Sequence, residues 1–295
     1  MATHNPAEVM DEAMFEKEAA RRLSVIRPPS LMRLNLLANL SKLFQYRDLL
    51  YTLTVHRIKV RYKQSALGIS WAILQPLSMM LIFTVIFSLF ARMPSEGAPY
   101  ALFAYAALLP WTYFSTSLAN GTSGLVSHTQ LVTKVYFPRE ILPITYVLAA
   151  LFDFLIASTV MAGLMMYYHV RPTLNVLYAV PIILVLTCFA MAMSLFFSAT
   201  QVRFRDMGVA VPLLLQLWMF ATPVIYPLSA VPARLRPLYV LNPMVGVIEN
   251  FRQVVLNGAA PDVYSLGLSA LIAVVLLIFS YAYFKQLEAT MADII

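Results

Sequence analysis

The stretch PTLNVLYAVPIILVLTCFAMAMSLFFSATQV, residues 172–202, contains no residue with a formal charge. A bilayer hydrocarbon core about 30 Å thick is crossed by about 20 apolar residues of helix. Four other uncharged stretches are also long enough to cross: 64–91, 97–133, 207–233 and 263–284. A sixth apolar stretch, between Ile141 and Arg171, is interrupted only by Asp153. The sequence therefore predicts an all-α polytopic membrane protein.

The overall composition supports this prediction. Hydrophobic residues make up 60% of the chain and charged residues 12%, whereas soluble proteins have about 45–50% and about 25%. A membrane β-barrel would show alternating segments of about 10 residues instead of continuous apolar runs. Lipid offers no hydrogen-bond partners to a backbone, and a helix satisfies its own amides.

Six spans are predicted, at residues 70–91, 100–121, 141–167, 178–199, 209–226 and 265–284. Six crossings place both termini on one side. If that side is the cytoplasm, 16 of the 21 Lys and Arg residues lie inside, which agrees with the positive-inside rule. The net charge of +7 then reflects topology, and no nucleic-acid partner is expected. We expect residues 1–35 to form a polar cytoplasmic extension and residues 36–295 the transmembrane domain.

The basic segment 44–65 precedes the first span. Its leucines can share a helical face, and the segment carries the cations Arg57, Lys59, Arg61 and Lys63. Such a pattern favours an amphipathic helix lying in the cytoplasmic membrane interface. Residues 58–63 also alternate as a strand would, but a lone strand leaves unpaired edges. The helix either anchors the topology or contacts a partner subunit or anionic membrane lipid.

Residues 227–262 lie between the fifth and sixth predicted spans. Pro227, Pro232, Pro237 and Pro243 break any single long helix. We predict external re-entrant helices here, with helical parts at 237–240 and 245–255. Irregular backbone at membrane depth must be covered by protein or line a cavity, so this segment is a candidate gate. The alternative is an ordinary external loop that lies on the membrane.

Three motifs carry a resemblance to a known family. They are RIKVRYKQSALGISWAILQPL (57–77), LVTKVYFPREILPI (131–144) and ATPVIYPLSAVPARLRPLYVLNPMVGVIENFRQVVL (221–256). In this order they resemble type-2 ABC transporter permeases of the polysaccharide-export branch, whose members export O-antigen, capsule or teichoic-acid polymers. The resemblance implies a permease subunit of the bacterial inner membrane that moves a polyprenyl-linked polysaccharide. It also implies a homodimer of permease chains with a pathway along the dimer interface.

The chain contains no Gly-x-x-x-x-Gly-Lys-Ser/Thr loop, the sequence that cradles nucleotide phosphates. Few ionisable groups lie within the spans, which disfavours proton coupling. We therefore expect no enzyme activity and neither cofactor nor metal in this chain. The resemblance implies that ATP and Mg²⁺ bind to two copies of a separate ABC ATPase.

The segment 128–138 lies between the second and third predicted spans. By resemblance it is the coupling helix that contacts the ATPase. The residues assigned to that contact are Leu131, Val132, Lys134, Val135, Tyr136, Phe137 and Arg139. The alternative is a membrane-surface turn whose cations extend towards the headgroups.

Aromatic side chains can stack on sugar rings and hydrogen-bond at a wet boundary, so Trp111, Tyr113 and Trp218 are channel candidates. An aromatic belt at headgroup level is the competing explanation for the aromatic residues. Asp153 lies halfway along the third span, where a carboxylate usually faces water or the bundle interior. It is a channel candidate or a paired structural residue. Glu249 and Arg252 are spaced to pair along one helical turn and are gate candidates.

Three other functions compete with polysaccharide export. A drug or small-lipid exporter of the same superfamily would share the architecture. A membrane-embedded glycan transferase or ligase would need clustered acidic or basic groups on external loops, and loops 92–99 and 169–177 hold few. An ion channel would need rings of charge or a carbonyl filter, and neither pattern is evident.

Overall fold

The structure, a computed structural model, describes residues 43–63, 65–135 and 137–294. The predictions for residues 1–35 and for Tyr136 lie outside these ranges. Within them the chain is helical and contains no strand, so the predicted all-α class is confirmed. The helices are α1 (Arg47–Lys63), α2 (Trp71–Phe83), α3 (Tyr100–Ser123), α4 (Thr129–Lys134), α5 (Ile141–Tyr167), α6 (Ala179–Arg203), α7 (Met207–Phe220), α8 (Arg236–Val240), α9 (Pro243–Val255) and α10 (Val263–Ile294).

Helix α2 changes its winding along its length. A 3₁₀ turn, Gly68–Ser70, precedes it, and a π-helical segment, Thr84–Phe90, continues it. In the π segment the backbone N–H of Ala91 donates to the carbonyl of Ile86, five residues earlier. π-helical turns are rare and frequently mark functional sites.

Four segments are long and apolar enough to cross a membrane: Gly68–Phe90, Ile141–Tyr167, Leu174–Arg203 and Val263–Glu288. They correspond to the first, third, fourth and sixth predicted spans. Helix α3 covers the second predicted span but carries more polar side chains. Helix α7, at the fifth, is shorter than predicted because it ends at Phe220 rather than at residue 226.

Helix α3 lies at the centre of the bundle and packs against α2, α5, α6, α7 and α9. Most of its side chains are buried. The ring of Phe114 stacks on Phe189 at 5.0 Å, and Trp218 meets Phe114 edge-on at 5.2 Å. Aromatic pairs of this kind add about 0.5–1.5 kcal/mol beyond their buried area. The aromatic residues of α3 therefore hold neighbouring helices together.

A second apolar cluster lies at the end of the bundle that carries α1 and α4. Phe137, Phe284 and Met291 are buried in it together with Val132 and Leu125. Leucines of α1 pack against the same cluster. The loop after α4, helix α1 and the C-terminal part of α10 therefore share one core.

Candidate transport cavity and coupling loop

A cavity of about 590 Å³ lies between α2, α3, α5, α7 and the C-terminal end of α1. Much of its wall is polar, although the surrounding helices are apolar. The polar lining residues are Arg61, Tyr62, Gln75, Thr112, Tyr113, Ser115, Thr116, Asn120 and Asp153. Hydroxyl, amide and carboxylate groups can exchange hydrogen bonds with a hydrophilic solute.

One face of α3 supplies much of this polar wall. Thr112, Thr116 and Asn120 recur every four residues and therefore lie along one side of the helix. The opposite side is buried in the aromatic core. This polar stripe makes α3 less hydropathic than the four candidate spans, although its 24 residues give a length of about 36 Å.

Asp153 lies in the cavity wall and is paired across the α1–α5 interface. The Arg61 guanidinium and the Tyr62 hydroxyl both donate to its carboxylate. Burial, together with the nearby carboxylate, raises the pKa of Tyr62 to about 12, so this hydroxyl stays protonated and donates at neutral pH. The sequence pattern predicts separate roles for Asp153 and Arg61 and gives no indication of Tyr62. Asp153 carries the only formal charge within a predicted span and therefore needs a cationic partner. That requirement was the feature of the sequence from which its pairing with Arg61 could have been predicted.

The other cations of α1 divide between two faces. Arg57 donates to the Thr145 hydroxyl at 2.6 Å, and its guanidinium lies 3.5 Å from the ring centroid of Tyr146. Burial lowers the pKa of Arg57. Lys59 and Lys63 are exposed. Helix α1 thus ties itself to α5 with two arginines and presents its lysines outward.

The aromatic channel candidates occupy different environments. Tyr113 lines the cavity, and its hydroxyl donates to Thr187 at 2.9 Å. Trp111 is buried with its ring 5.9 Å from that of Phe114. Trp218 packs on the aromatic core and lines a separate apolar cleft of about 400 Å³. The structure therefore brings Tyr113 and Asp153 together in the cavity and places both tryptophans elsewhere.

Arg252 forms a buried clamp at the end of the bundle that carries α9. It is 3% exposed, and its guanidinium donates to the carbonyls of Pro223 at 2.8 Å and Val224 at 2.5 Å. The same group lies 3.7 Å from the ring centroid of Phe103 and pairs with Glu249 at 3.1 Å. The clamp satisfies carbonyls of the irregular chain that follows α7.

The electrostatics of this clamp are set by burial. Burial lowers the pKa of Arg252 to about 10, with Glu249 acting in the opposite direction, so the guanidinium remains charged at neutral pH. Burial raises the pKa of Glu249, and Arg252 opposes that shift. Neither residue lines the cavity described above. Both hold the segment that follows α7 to the bundle.

The segment between α3 and α5, residues 124–140, is called the coupling loop after its predicted role. Its helix is shorter than the predicted 128–138. Helix α4 ends at Lys134, and Val135 has extended backbone angles. Val132 and Phe137 are buried in the chain's own core, so these side chains do not face outward. Lys134 and Val135 are exposed, Val135 by 52%, and Leu131 is half-buried.

The end of the loop is fixed by ionic contacts that sequence analysis missed. Glu140 is 1% exposed and accepts hydrogen bonds from Lys285 at 2.8 Å and Tyr281 at 3.3 Å. Glu288 accepts from the backbone N–H of Arg139 at 3.1 Å. Arg139, assigned to ATPase contact from the sequence, thus also contacts α10. The pairing of Glu140 with Lys285 spans half the chain, which no local pattern reveals.

No group of three or more His, Cys, Asp or Glu side chains within the described ranges is arranged to hold a metal ion. Membrane-length helices around a polar cavity, with ionic contacts at one end, are typical of a polytopic transport protein. The chain belongs to the ABC-2 type transporter family, which residues 48–256 match. The family resemblance found in the sequence is confirmed.

Curated relatives extend this match over nearly the whole chain. The O-antigen export system permease protein RfbA of Myxococcus xanthus is 34% identical over 254 residues, covering 85% of this chain and 97% of the relative. The Klebsiella pneumoniae protein of the same name is 31% identical, covering 90% and 100%. The polysialic acid transport protein KpsM of Escherichia coli is 26% identical, covering 81% and 93%.

Proposed function

We propose that this chain is the permease subunit of an ATP-driven exporter that moves a lipid-linked polysaccharide across the bacterial inner membrane. The observation that carries the proposal is the end-to-end similarity to proteins named as O-antigen export permeases. The polar cavity inside an apolar bundle adds physical support, because a glycan needs hydrogen-bond partners while it crosses lipid.

The proposed topology has six crossings with both termini in the cytoplasm. Helices α3 and α7 join the four candidate spans. Helix α7 has 14 residues and is about 21 Å long, which is short for a hydrocarbon core of about 30 Å. Residues 222–225 after it are buried in protein, and Arg252 satisfies two of their carbonyls. Such covered irregular backbone is tolerated at membrane depth, and α8 and α9 are the proposed external re-entrant helices.

A separate ABC ATPase supplies the energy in this proposal and binds the ATP and Mg²⁺. Helix α4 and the loop after it form the docking surface, with Lys134 and Val135 presented to the partner. Lys134 and Val135 are exposed, whereas Val132 and Phe137 are buried. The face that carries Lys134 and Val135 is therefore the one available for contact with the ATPase. Two permease chains and two ATPases form the working complex.

The cavity of each chain forms one wall of the pathway. Its hydroxyl and amide groups offer many weak contacts to sugar hydroxyls, so a polymer can slide without a deep binding minimum. The polyprenyl carrier stays in lipid while the glycan passes along the paired cavities. The exposed lysines of α1 face the anionic headgroups of the membrane.

Reconstitution tests the proposal. The permease and its ATPase are placed in vesicles that contain a polyprenyl-linked glycan, and glycan on the far side is measured after ATP addition. We expect transport with both subunits and none with either alone. ATP hydrolysis by the isolated permease, or drug efflux without glycan movement, would overturn the proposal. In cells, loss of the gene should cause cytoplasmic accumulation of the lipid-linked glycan.

A further inference from the structure

The C-terminal part of α10 holds the coupling loop by a compact ionic network. Lys285 lies 2.7 Å from the carboxylate of Glu140 and 2.8 Å from that of Glu288. Glu288 accepts the backbone N–H of Arg139, whose guanidinium donates in turn to the Glu288 carbonyl. A buried carboxylate is costly unless a cation and hydrogen bonds compensate it. Lys285 therefore fixes where Glu140, and the loop that ends there, can lie.

Apolar contacts reinforce the same connection. Phe284 and Met291, on α10, are fully buried in the cluster that also contains Val132 and Phe137. These two α10 residues flank Lys285 and Glu288 in sequence. The loop after α4 is thus attached to α10 through both its charged and its apolar side chains.

The opposite end of α10 is attached to the external helix α9. The Asn250 side chain donates to the Ser265 hydroxyl at 2.9 Å and accepts the backbone N–H of Asp262 at 2.6 Å. Gly246 lets the two helices approach closely, since a Cβ there would lie 2.1 Å from the Ser269 hydroxyl. One continuous helix of 32 residues, about 48 Å long, therefore joins the coupling loop to α9.

We propose that Glu140, Lys285 and Glu288 are positioning residues that tie the coupling loop to α10. Displacement of α4 by the ATPase is then transmitted along α10 to α9, in addition to the direct path through α5. Four hydrogen bonds of this network join the loop to α10. The inference rests on the proposed function, because an ATPase partner is what displaces α4.

Limited proteolysis of the full-length permease alone tests the positioning role. Trypsin cleaves after Lys134, which is exposed at the end of α4, and fragment masses report the rate. We expect Lys285→Met to accelerate this cleavage by roughly tenfold, since proteolysis follows the local opening equilibrium. Lys285→Arg keeps the charge and should cleave near the wild-type rate. Cleavage after the exposed Arg205 is the internal reference. Equal rates after Lys134 in wild type and Lys285→Met would overturn the proposal.

Coupling is tested in vesicles that contain the permease and its ATPase. Lys285→Met should lower the glycan exported per ATP hydrolysed by roughly tenfold, with rescue by Lys285→Arg. Arg205→Met, which removes an exposed cation outside the network, is the charge-matched control and should behave as wild type. Normal export per ATP in Lys285→Met would overturn the relay. If the wild-type complex fails to export at all, the proposed function falls, whereas the proteolysis result still decides whether Lys285 positions the loop.

Discussion

The Arg61 guanidinium pairs with the Asp153 carboxylate and joins α1 to α5, a candidate membrane span, at the wall of the cavity. The Asp153 side chain is 19% exposed and that of Arg61 32%, so the pair is partly shielded from water. A partly buried ion pair is expected to contribute more to stability than a surface ion pair. Removing one of its partners is expected to destabilise the protein more.

Replacing both members of this pair should destabilise the protein by less than the sum of the two single replacements. We expect Asp153→Asn and Arg61→Met each to lower the apparent melting temperature in detergent. The double variant should recover about 1–2 kcal/mol relative to the sum of the single effects, as neighbouring charges do in double-mutant cycles. Strict additivity would show that the two groups do not interact in the protein.

Removing the Arg252 guanidinium should be among the most damaging single changes between α7 and α10. Arg252→Met leaves the carbonyls of Pro223 and Val224 and the Glu249 carboxylate without their partner. Breaking a buried pair in this way costs about 3–5 kcal/mol. Arg236→Met is the matched control, because Arg236 also donates to two backbone carbonyls but is exposed.

The two variants are compared by thermal unfolding, with size-exclusion chromatography measuring how much folded protein remains after heating. The free energy of unfolding of the Arg236→Met control should fall by at most about 1 kcal/mol. Equal decreases in Arg252→Met and Arg236→Met would contradict the idea that bonds to buried carbonyls stabilise this segment.

The exposed and buried residues of the coupling loop should separate in their effects. Replacing Lys134 and Val135 together with serine should uncouple ATP hydrolysis from export and leave the melting temperature unchanged, because both side chains are exposed. Phe137→Ser should instead destabilise the permease by about 3–5 kcal/mol, since it empties a buried aromatic site. If the serine double variant couples ATP hydrolysis to export as well as the wild type does, α4 is not the docking surface.

Gly246 should not tolerate alanine. An added Cβ would lie 2.1 Å from the Ser269 hydroxyl and 2.8 Å from the Ser265 carbonyl oxygen, and overpacking of this kind costs about 1–3 kcal/mol. Gly267→Ala is the control within α10, because a Cβ there meets no atom within 4 Å. That change should be neutral or stabilising by up to about 1 kcal/mol through helix propensity. We expect Gly246→Ala to lower the melting temperature and Gly267→Ala to leave it unchanged or raise it. An unchanged melting temperature in Gly246→Ala would argue against close α9–α10 packing.

Filling the cavity should block transport without preventing folding. Thr116→Trp places a large ring on the polar stripe of α3, and we expect export to fall at least roughly tenfold, about 1.4 kcal/mol in the barrier. Thr159→Trp makes the same substitution at an exposed position of α5 and should leave export intact. Glycan transport in vesicles gives the comparison. Export by Thr116→Trp at the wild-type rate would place the pathway elsewhere.

The sequence predicted helices well where hydropathy alone decides the structure. The third predicted span has the same bounds as α5, and the predicted helical parts of 227–262 differ from α8 and α9 by one or two residues at their start. Prediction was poorer where polar contacts replace lipid. Helix α7 ends at Phe220 rather than at residue 226, and the carbonyls of Pro223 and Val224 beyond it bond to Arg252. Apolar composition does not report such bonds.

The candidate site was predicted in part. Asp153 was recognised because a lone carboxylate in a span needs a partner, and Tyr113 because it is aromatic and central. The partners of Glu140 lie about half the chain away, beyond the reach of local patterns. The burial of Phe137 was missed because a short amphipathic loop does not indicate which of its apolar residues face the chain's own core.

The π-helical end of α2 has a consequence for evolution. Each residue of Thr84–Phe90 advances the backbone less and turns it less than in an α-helix, so the segment behaves as an inserted amino acid absorbed without a loop. Deleting a single position there would restore regular α-helical winding and leave the chain beyond it close to its present orientation, because the smaller turn per residue of the π segment compensates for the extra residue. Homologues that are one residue shorter at this point could therefore keep the same side chains facing the same neighbours on both sides of it, with only the local winding changed.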